Sequence, residues 1–293
     1  MKHAEQESSE MTFFEHLDAL RPHLVRGALA IVIVGIAAFL CKHLIIDTVL
    51  FGPKSADFPT NRMLSWIGAE WAHLAAWLNA TFGTAFDTDV AAFQIASDRF
   101  QVINTSLAGQ FNLHMKISLM AGIALAMPYV LWEFWRFVRP ALTPREIAGT
   151  RWFVASVSLC FFAGLLFGYF IMAPLSINFF ANYQVSSEIT NMIDIGDYLS
   201  TVILVSMACA FLFELPLLIY FLTRMGLVSA AFLKRYRRHA FVVLLIISAI
   251  ITPPDIFSLI LVVAPLYGLY ELSIRLAARI ERRRLREETA GTA

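Results

Sequence analysis

The sequence predicts an all-α integral membrane protein with six transmembrane helices, both termini in the cytoplasm and two short final helices. Its 293 residues are 58% hydrophobic and only 15% charged, whereas soluble domains carry roughly a quarter charged residues. Apolar stretches long enough to cross a bilayer recur along the chain. The formal net charge of +1 gives no support to nucleic-acid binding. These observations exclude most soluble enzyme folds.

Four apolar stretches each supply the roughly 20 residues that a membrane-crossing helix needs, at residues 24–46, 113–135, 152–174 and 198–223. Pro174 should bend or end the third helix. The last apolar region, 240–274, contains Thr-Pro-Pro-Asp at 252–255, and the two prolines predict a turn between two helices. Each arm offers about 13–17 apolar residues, so the pair should fall short of a full bilayer.

The distribution of basic residues predicts the orientation. Basic clusters flank the 240–274 region on both sides, and such clusters stay in the cytoplasm, so the region crosses the membrane an even number of times. With two crossings there, 18 of the 23 Lys and Arg residues lie on the predicted cytoplasmic side. We therefore expect both termini in the cytoplasm.

The chain divides into three predicted parts: an amphipathic cytoplasmic tail at 1–23, a six-span domain at 24–275 and a basic cytoplasmic tail at 276–293. The six-span domain includes an external insertion at about 54–100. This insertion contains an amphipathic helix, with apolar residues at helical spacing and tryptophans among them: Met63, Leu64, Trp66, Ile67, Trp71, Leu74, Ala75, Trp77 and Leu78. Such a helix either lies on the outer leaflet or caps the bundle as a packed element without a separate function.

Sequence motifs for catalysis and nucleotide binding are missing, including Walker A, GxGxxG, HExxH and GxSxG. The seven histidines are scattered, and Cys41, Cys160 and Cys209 have no spacing typical of a disulfide framework or a metal site. We therefore expect that the protein is not an enzyme and that it has no cofactor and no metal site.

Glu214 lies deep in the fourth span, within Phe-Leu-Phe-Glu-Leu-Pro. An ionised carboxylate is costly in the membrane interior, so Glu214 should face the bundle interior or a wet cavity, or be protonated. Pro216 follows and frees backbone carbonyls that water or side chains must satisfy. Glu214 is either a functional group or a structural hydrogen-bonding residue between helices.

Two further carboxylates mark the ends of the sixth span. Asp255 directly precedes it, where its side chain can accept hydrogen bonds from free N–H groups as an N-cap. We interpret Asp255 first as a cap and second as a functional residue. Glu271 has the spacing to pair with Arg275 one turn later.

The predicted cytoplasmic surface combines carboxylates with apolar groups in an otherwise basic setting. Two prolines stiffen the loop at 133–151 and could present Phe137 and Glu146 together. The tail carries an apolar helical stripe with Glu15, Asp18 and Arg21 beside it. Because paired carboxylates accept guanidinium groups in a bidentate manner, this patch suits a cationic peptide with a hydrophobic tail.

Several motifs together resemble the TatC family, the multispanning receptor subunit of the twin-arginine protein translocase. They are His-Leu-Asp-Ala-Leu-Arg at 16–21, Phe-Val-Arg-Pro-Ala-Leu at 137–142 followed by Glu146, Phe-Glu-Leu-Pro at 213–216, and Thr-Pro-Pro-Asp at 252–255 running on to Tyr270 and Glu271. The resemblance covers about 11–53 and 103–275, with the motifs in the family's order.

This resemblance implies a glove-like bundle with a concave face in the cytoplasmic (inner) membrane. The tail and the first cytoplasmic loop would bind twin-arginine signal peptides of folded precursor proteins. Glu146 would accept the guanidinium group, and Phe137, Pro140 and Leu142 would form its loop. Export would use the proton-motive force, with single-span partners of the TatA/TatB type.

The resemblance also implies roles for residues within or beyond the membrane. Glu214 and Pro216 would lie on the concave face, near a partner helix or an inserted signal peptide. Thr252 and Asp255 would lie where partner helices dock, and Pro53 matches a proline of the first external loop.

Three positions depart from the family's pattern. The tail motif usually has glutamate where this chain has Ala19, and Asp18 or Glu15 is the carboxylate available to replace it. Ile147 stands where arginine usually follows the loop glutamate, and Leu259 replaces a polar residue of the sixth span. A competing hypothesis is a proton- or ion-coupled secondary solute transporter that uses Glu214; it predicts inverted repeats, which the sequence does not show.

Overall fold

The computed structural model describes residues 13–55, 57–83, 101–139, 153–186 and 191–291, and within these ranges the protein is mostly helical. The α-helices are α1 (Phe13–Leu40), α2 (Pro59–Phe82), α3 (Gly109–Val138), α4 (Phe153–Phe167), α5 (Ala173–Asn182), α6 (Ile195–Leu212), α7 (Leu215–Arg224), α8 (Ala230–Arg235), α9 (Arg237–Ile251) and α10 (Ile256–Gly291). π-Helical turns follow at Leu44–Leu50 and Gly168–Met172, with a 3₁₀ turn at Gly52–Lys54. Two short strands, β1 (Gln101–Ile103) and β2 (Met192–Asp194), pair in parallel.

Five stretches of the described chain are long and apolar enough to cross a membrane: Leu20–Leu40, Gly109–Val138, Val154–Asn182, Ile195–Arg224 and Ile256–Arg282. They correspond to the predicted spans one to four and six, so the chain is a multi-pass membrane protein. The predicted fifth span is α9. Its 15 residues give about 22 Å of helix, less than the roughly 30 Å of a bilayer core.

The predicted break between the last two spans is confirmed, because α9 ends at Ile251 and α10 begins at Ile256. At the other end of this hairpin, Arg237 binds Glu271 in a bidentate manner, with Nε 2.7 Å from Oε1 and Nη2 3.0 Å from Oε2. The predicted pairing of Glu271 with Arg275 is therefore wrong. The packing of α9 against α10 places the Arg237 guanidinium where it gives two parallel hydrogen bonds to the Glu271 carboxylate. Helix α10 then continues past the hairpin to Gly291.

The chain forms two compact units, drawn from residues 1–40 with 116–158 and from residues 41–115 with 159–293. In the first unit, α1 and α3 pack with their backbones in contact. A Cβ atom added to Gly122 would lie 2.7 Å from the Ile31 carbonyl oxygen and 2.9 Å from the Gly35 Cα. Glycine at this crossing permits the close approach on which helix association in membranes depends.

In the second unit, glycines likewise allow α4 and the following π-helical turn to pack closely against α6. A Cβ atom on Gly164 would lie 2.7 Å from the Cys209 carbonyl oxygen, and one on Gly168 would lie 2.6 Å from the Ser206 Cα. The two glycines are four residues apart, as in the GxxxG pattern of packed membrane helices.

Pro174 does not end its helix. The π-helical turn Gly168–Met172 precedes it, and α5 then continues to Asn182 with the proline in its first turn. A wider turn accommodates the carbonyl group that the proline ring would otherwise meet. Residues 172–178 are all buried, so protein surrounds this segment. Part of that cover is α2, whose Thr60 hydroxyl donates to the Phe170 carbonyl oxygen.

Candidate functional site

A buried carboxylate, Glu133, lies near the end of α3 and is only 2% exposed. His23 Nδ1, on α1, lies 2.6 Å from Oε2, while the Tyr129 hydroxyl and Arg136 Nη1 each donate to Oε1 at 3.1 Å. Arg26 Nη1 lies 3.8 Å from Oε2. These donors satisfy a carboxylate that would otherwise be costly to bury. We call Glu133, His23, Arg26, Tyr129 and Arg136 the Glu133 cluster.

The Glu133 cluster was not among the predicted site residues. Its local part is visible in the sequence, because Tyr129 and Arg136 lie one helical turn before and after Glu133. His23 is 110 residues away in the chain, and no local spacing connects it to α3. Only the packing of α1 against α3 brings the two residues together.

The cluster lies beside some of the residues that we predicted to bind a signal peptide. Phe137 follows Glu133 by one turn and is half-buried, with its ring 6.2 Å from that of His23. Asp18 and Arg21 are exposed on α1 in the turns before His23. Glu15 also lies on α1, although its side chain is outside the described part. Pro140, Leu142 and Glu146 lie outside the described residues.

Glu214 lies at the interruption between α6 and α7. Pro216, which is buried in the first turn of α7, lacks the N–H group that would continue the helix. Both carboxylate oxygens of Glu214 are buried, and neither has a hydrogen-bond partner among the described residues. A carboxylate left in this state is expensive, and among the described residues Glu214 makes no hydrogen bond between helices.

The turn between α9 and α10 holds Thr252 and Asp255. Asp255 Oδ1 accepts from the Ser258 N–H at 2.6 Å, which confirms the predicted N-cap. Thr252 is buried, and its hydroxyl donates to the Ser248 carbonyl oxygen at 2.9 Å. Asp255 Oδ2 is buried without a partner in the described chain. Asp255 lines a cavity of about 490 Å³ whose other walls are mainly apolar.

Pro53 is buried in the 3₁₀ turn after the first span. Its carbonyl oxygen accepts from Asn61 Nδ2 at 2.9 Å, and the same amide donates to the Ser55 carbonyl oxygen at 2.7 Å. Pro53 thus lies in the packed cover around α5, where it fixes the start of α2. Over the described ranges, acidic, histidine and cysteine side chains form no group of three or more that could hold a metal ion.

Comparison with known proteins gives one consistent result. The family model for the Sec-independent protein translocase protein (TatC) matches residues 15–265. The TatC protein of Blattabacterium sp. subsp. Periplaneta americana is 37% identical over 280 residues, which cover 95% of this chain and 99% of that protein. The TatC protein of Desulforapulum autotrophicum is 33% identical, over 94% of this chain and 87% of its own length.

Two solved structures of the twin-arginine translocase receptor TatC resemble this fold at 26% sequence identity. One covers 90% of this chain and 98% of its own, with a TM-score of 0.59. The other, in DDM, covers 89% of this chain and 99% of its own, with a TM-score of 0.63. The similarity therefore extends over nearly the full length in both sequence and structure.

Proposed function

The chain belongs to the TatC family and is a component of the Sec-independent twin-arginine protein translocase, and we propose that it is the subunit that binds twin-arginine signal peptides. The binding site comprises the tail helix, with Glu15, Asp18 and Arg21, the end of α3, with Phe137, and the segment that follows it, with Pro140, Leu142 and Glu146. Recognition takes place at the cytoplasmic face, before folded cargo crosses the membrane.

The Glu133 cluster supports this proposal. It ties the helix that carries Asp18 and Arg21 to the end of the helix that carries Phe137, through the 2.6 Å contact of His23 with Glu133. A site built from two distant segments binds a flexible peptide better when both segments are held in advance. Glu133 itself is buried and already has its donors, so it acts as a positioning residue and leaves guanidinium binding to Glu146.

Glu146 suits the role of guanidinium acceptor because it is the carboxylate of a loop that is otherwise basic. Arg139 and Arg145 precede it in the sequence. A carboxylate takes the planar guanidinium fork through two parallel hydrogen bonds, which a lysine ammonium cannot form. Asp18 or Glu15 supplies the second carboxylate in place of the family's tail glutamate, which is Ala19 here.

The remaining parts of the proposal concern the membrane and the partners. The excess of Lys and Arg in alternate loops favours a cytoplasmic-membrane protein with both termini in the cytoplasm. Single-span subunits of the TatA/TatB type complete the translocase, and the proton-motive force drives export. Glu214, whose oxygens lack partners in the described chain, serves as the intramembrane group for a partner helix or an inserted signal peptide. Thr252 and Asp255 belong to the docking region of those partners.

The test is the affinity of the detergent-solubilised full-length chain for a twin-arginine signal peptide and for its twin-lysine version. We expect a clear preference for arginine that is lost in Glu146→Lys, because charge reversal repels the peptide. Asp57→Lys is the matched control, since it makes the same charge change at an exposed residue outside the site. Equal binding of both peptides by the folded wild-type chain, or an unchanged preference in Glu146→Lys, would contradict the proposal.

A further inference from the structure

Helix α2, in the insertion after the first span, has two different apolar faces. One face is buried within the second unit and includes Thr60, Asn61, Leu64, Gly68 and Ala75. The other is exposed although it consists largely of big apolar side chains, namely Met63, Trp66, Ile67, Leu74 and Trp77. We call these five residues the aromatic face of α2. Trp66 is 64% exposed and Trp77 is 57% exposed. Packing against the rest of the protein therefore explains only one side of this helix.

The third side of α2 is polar or small. At 100° per residue, a strip of polar or small side chains runs from the flank of the tryptophans to the far side of the helix, formed by Arg62, Ser65, Ala69, Ala72, His73 and Ala76. All of them except Ser65 and Ala72 are exposed. The helix thus separates an exposed apolar side from an exposed polar side. This arrangement is typical of a helix that lies in the plane of a membrane interface.

The position of α2 along the neighbouring helix agrees with this arrangement. Thr60, in the first turn of α2, bonds the carbonyl group of Phe170. Residues 154–170 of that neighbour make about 25 Å of helix, close to the thickness of a bilayer core. Along this length Leu159, Leu166 and Phe170 are exposed, whereas residues 172–178 are all buried. The contact with Phe170 therefore places the start of α2 at the level where the exposed apolar stretch of this helix gives way to the enclosed one.

We propose that the aromatic face of α2 lies in the interfacial layer of the surrounding bilayer, on the side to which α5 projects. Tryptophan favours this layer because its ring is apolar while its N–H group needs a hydrogen-bonding partner. The face also contains Glu70, which is exposed. A headgroup region solvates this carboxylate, whereas a dry interface with another protein would leave it costly and unpaired. Lipid is therefore the occupant that fits both the tryptophans and the charge.

The test compares nitroxide spin labels at two positions of the full-length chain in phosphatidylcholine vesicles, with the three native cysteines replaced by alanine. Leu74→Cys reports on the aromatic face. Ala76→Cys is the matched control, exposed and about 160° away around the helix. We expect the label at 74 to be relaxed more by oxygen, which partitions into lipid, and the label at 76 more by a water-soluble nickel chelate. The ratio of the two effects should differ several-fold between the positions.

Nickel accessibility at 74 equal to that at 76 would overturn the proposal, because the face would then lie in water. Low accessibility to both reagents at 74 would also overturn it, because protein would then cover the face. Should the cysteine-free chain not insert, Trp66→Phe/Trp77→Phe is compared with the wild type in vesicles with brominated or ordinary phosphatidylcholine. The fluorescence lost on substitution should be much smaller in brominated lipid, where these tryptophans are already quenched. An equal loss in both lipids would refute the lipid contact.

Discussion

His23 and Glu133 form a contact of 2.6 Å between α1 and α3, across 110 residues of sequence. The carboxylate is buried while the imidazole is partly exposed, so the cluster is accessible from the α1 side. Two arginines and a tyrosine hold the same carboxylate. The cluster therefore fixes one end of the tail helix relative to the end of α3, and we expect signal-peptide binding to depend on it.

Replacing Glu133 should weaken both the fold and recognition. Glu133→Ala removes the acceptor for three donors, and we expect a loss of about 1–3 kcal/mol in the free energy of unfolding. The affinity for a twin-arginine peptide should fall about tenfold, because the tail helix is no longer held in place. Glu133→Gln retains one carbonyl acceptor and should recover part of the affinity. Thermal unfolding in detergent and peptide titration measure the two effects.

The control for this prediction is another histidine–carboxylate contact in the part of the chain that the structure describes. His43 Nδ1 lies 2.8 Å from Asp47 Oδ2, but both side chains are exposed. Asp47→Ala should change stability by less than about 0.5 kcal/mol, because solvent screens an exposed pair. A double-mutant cycle between His23 and Glu133 with no coupling energy would show that their contact does not hold α1.

A methyl group at Gly168 should destabilise the second unit. The added Cβ would lie 2.6 Å from the Ser206 Cα, so the α4–α6 backbones must separate, at a cost of about 1–3 kcal/mol. The matched substitution is Gly268→Ala on α10, where nothing lies within 4 Å of the new atom. There the melting temperature should hold or rise, since alanine favours helix by up to about 1 kcal/mol. Equal melting temperatures for the two variants would count against the close packing at Gly168.

Replacing the carboxyl group of Glu214 with an amide should leave the fold intact and impair export. Because neither oxygen has a hydrogen-bond partner in the described chain, Glu214→Gln loses no bond there and avoids burying a carboxylate. The melting temperature should therefore stay the same or increase, while export of a twin-arginine precursor falls. Glu214→Asp keeps an acid at this position and should retain more export. A sharp drop in the melting temperature of Glu214→Gln would mean that the carboxylate supports the fold.

Acid should weaken the loop that precedes α6. A hydrogen bond from the Thr105 hydroxyl, followed by those from the Gly196 and Thr105 N–H groups, holds the pKa of Asp194 below its ordinary value. A lowered pKa in the folded state means that the stabilisation is present above the unfolded-state pKa of about 4 and is lost as the pH falls through the folded-state pKa.

The variant that tests this is Asp194→Asn, compared with the wild type by thermal unfolding from about pH 7 to about pH 3. The wild type should be more stable at neutral pH, and its advantage should shrink below about pH 4. Asp57→Asn, at an exposed turn residue, should show no such convergence. An advantage of the wild type that stays constant down to the lowest pH would mean that ionisation of Asp194 contributes nothing.

Much of the fold could be predicted because its signals are local. Apolar stretches of bilayer length indicated the spans, and the Pro-Pro pair at 253–254 indicated the break before α10. The N-cap role of Asp255 depends on a residue only three positions away. The candidate site was harder to predict, because it combines the tail helix with residues more than 100 positions later. The family resemblance, which rests on several motifs in order, supplied the function that no single residue pattern could.

The sequence by itself determined the membrane class, the approximate ends of the helices and the presence of a carboxylate within the fourth span. These follow from hydropathy, helical periodicity and the missing N–H of proline, which act within a few residues. Only the tertiary structure decided that Glu271 pairs with Arg237 instead of Arg275 and that the Glu133 carboxylate is hydrogen-bonded to His23. The tertiary structure also decided that α2 has one buried face and one exposed apolar face. The sequence allows several partners for each of these side chains and faces. The packing of helices that are distant in sequence determines which partner lies close enough to make contact.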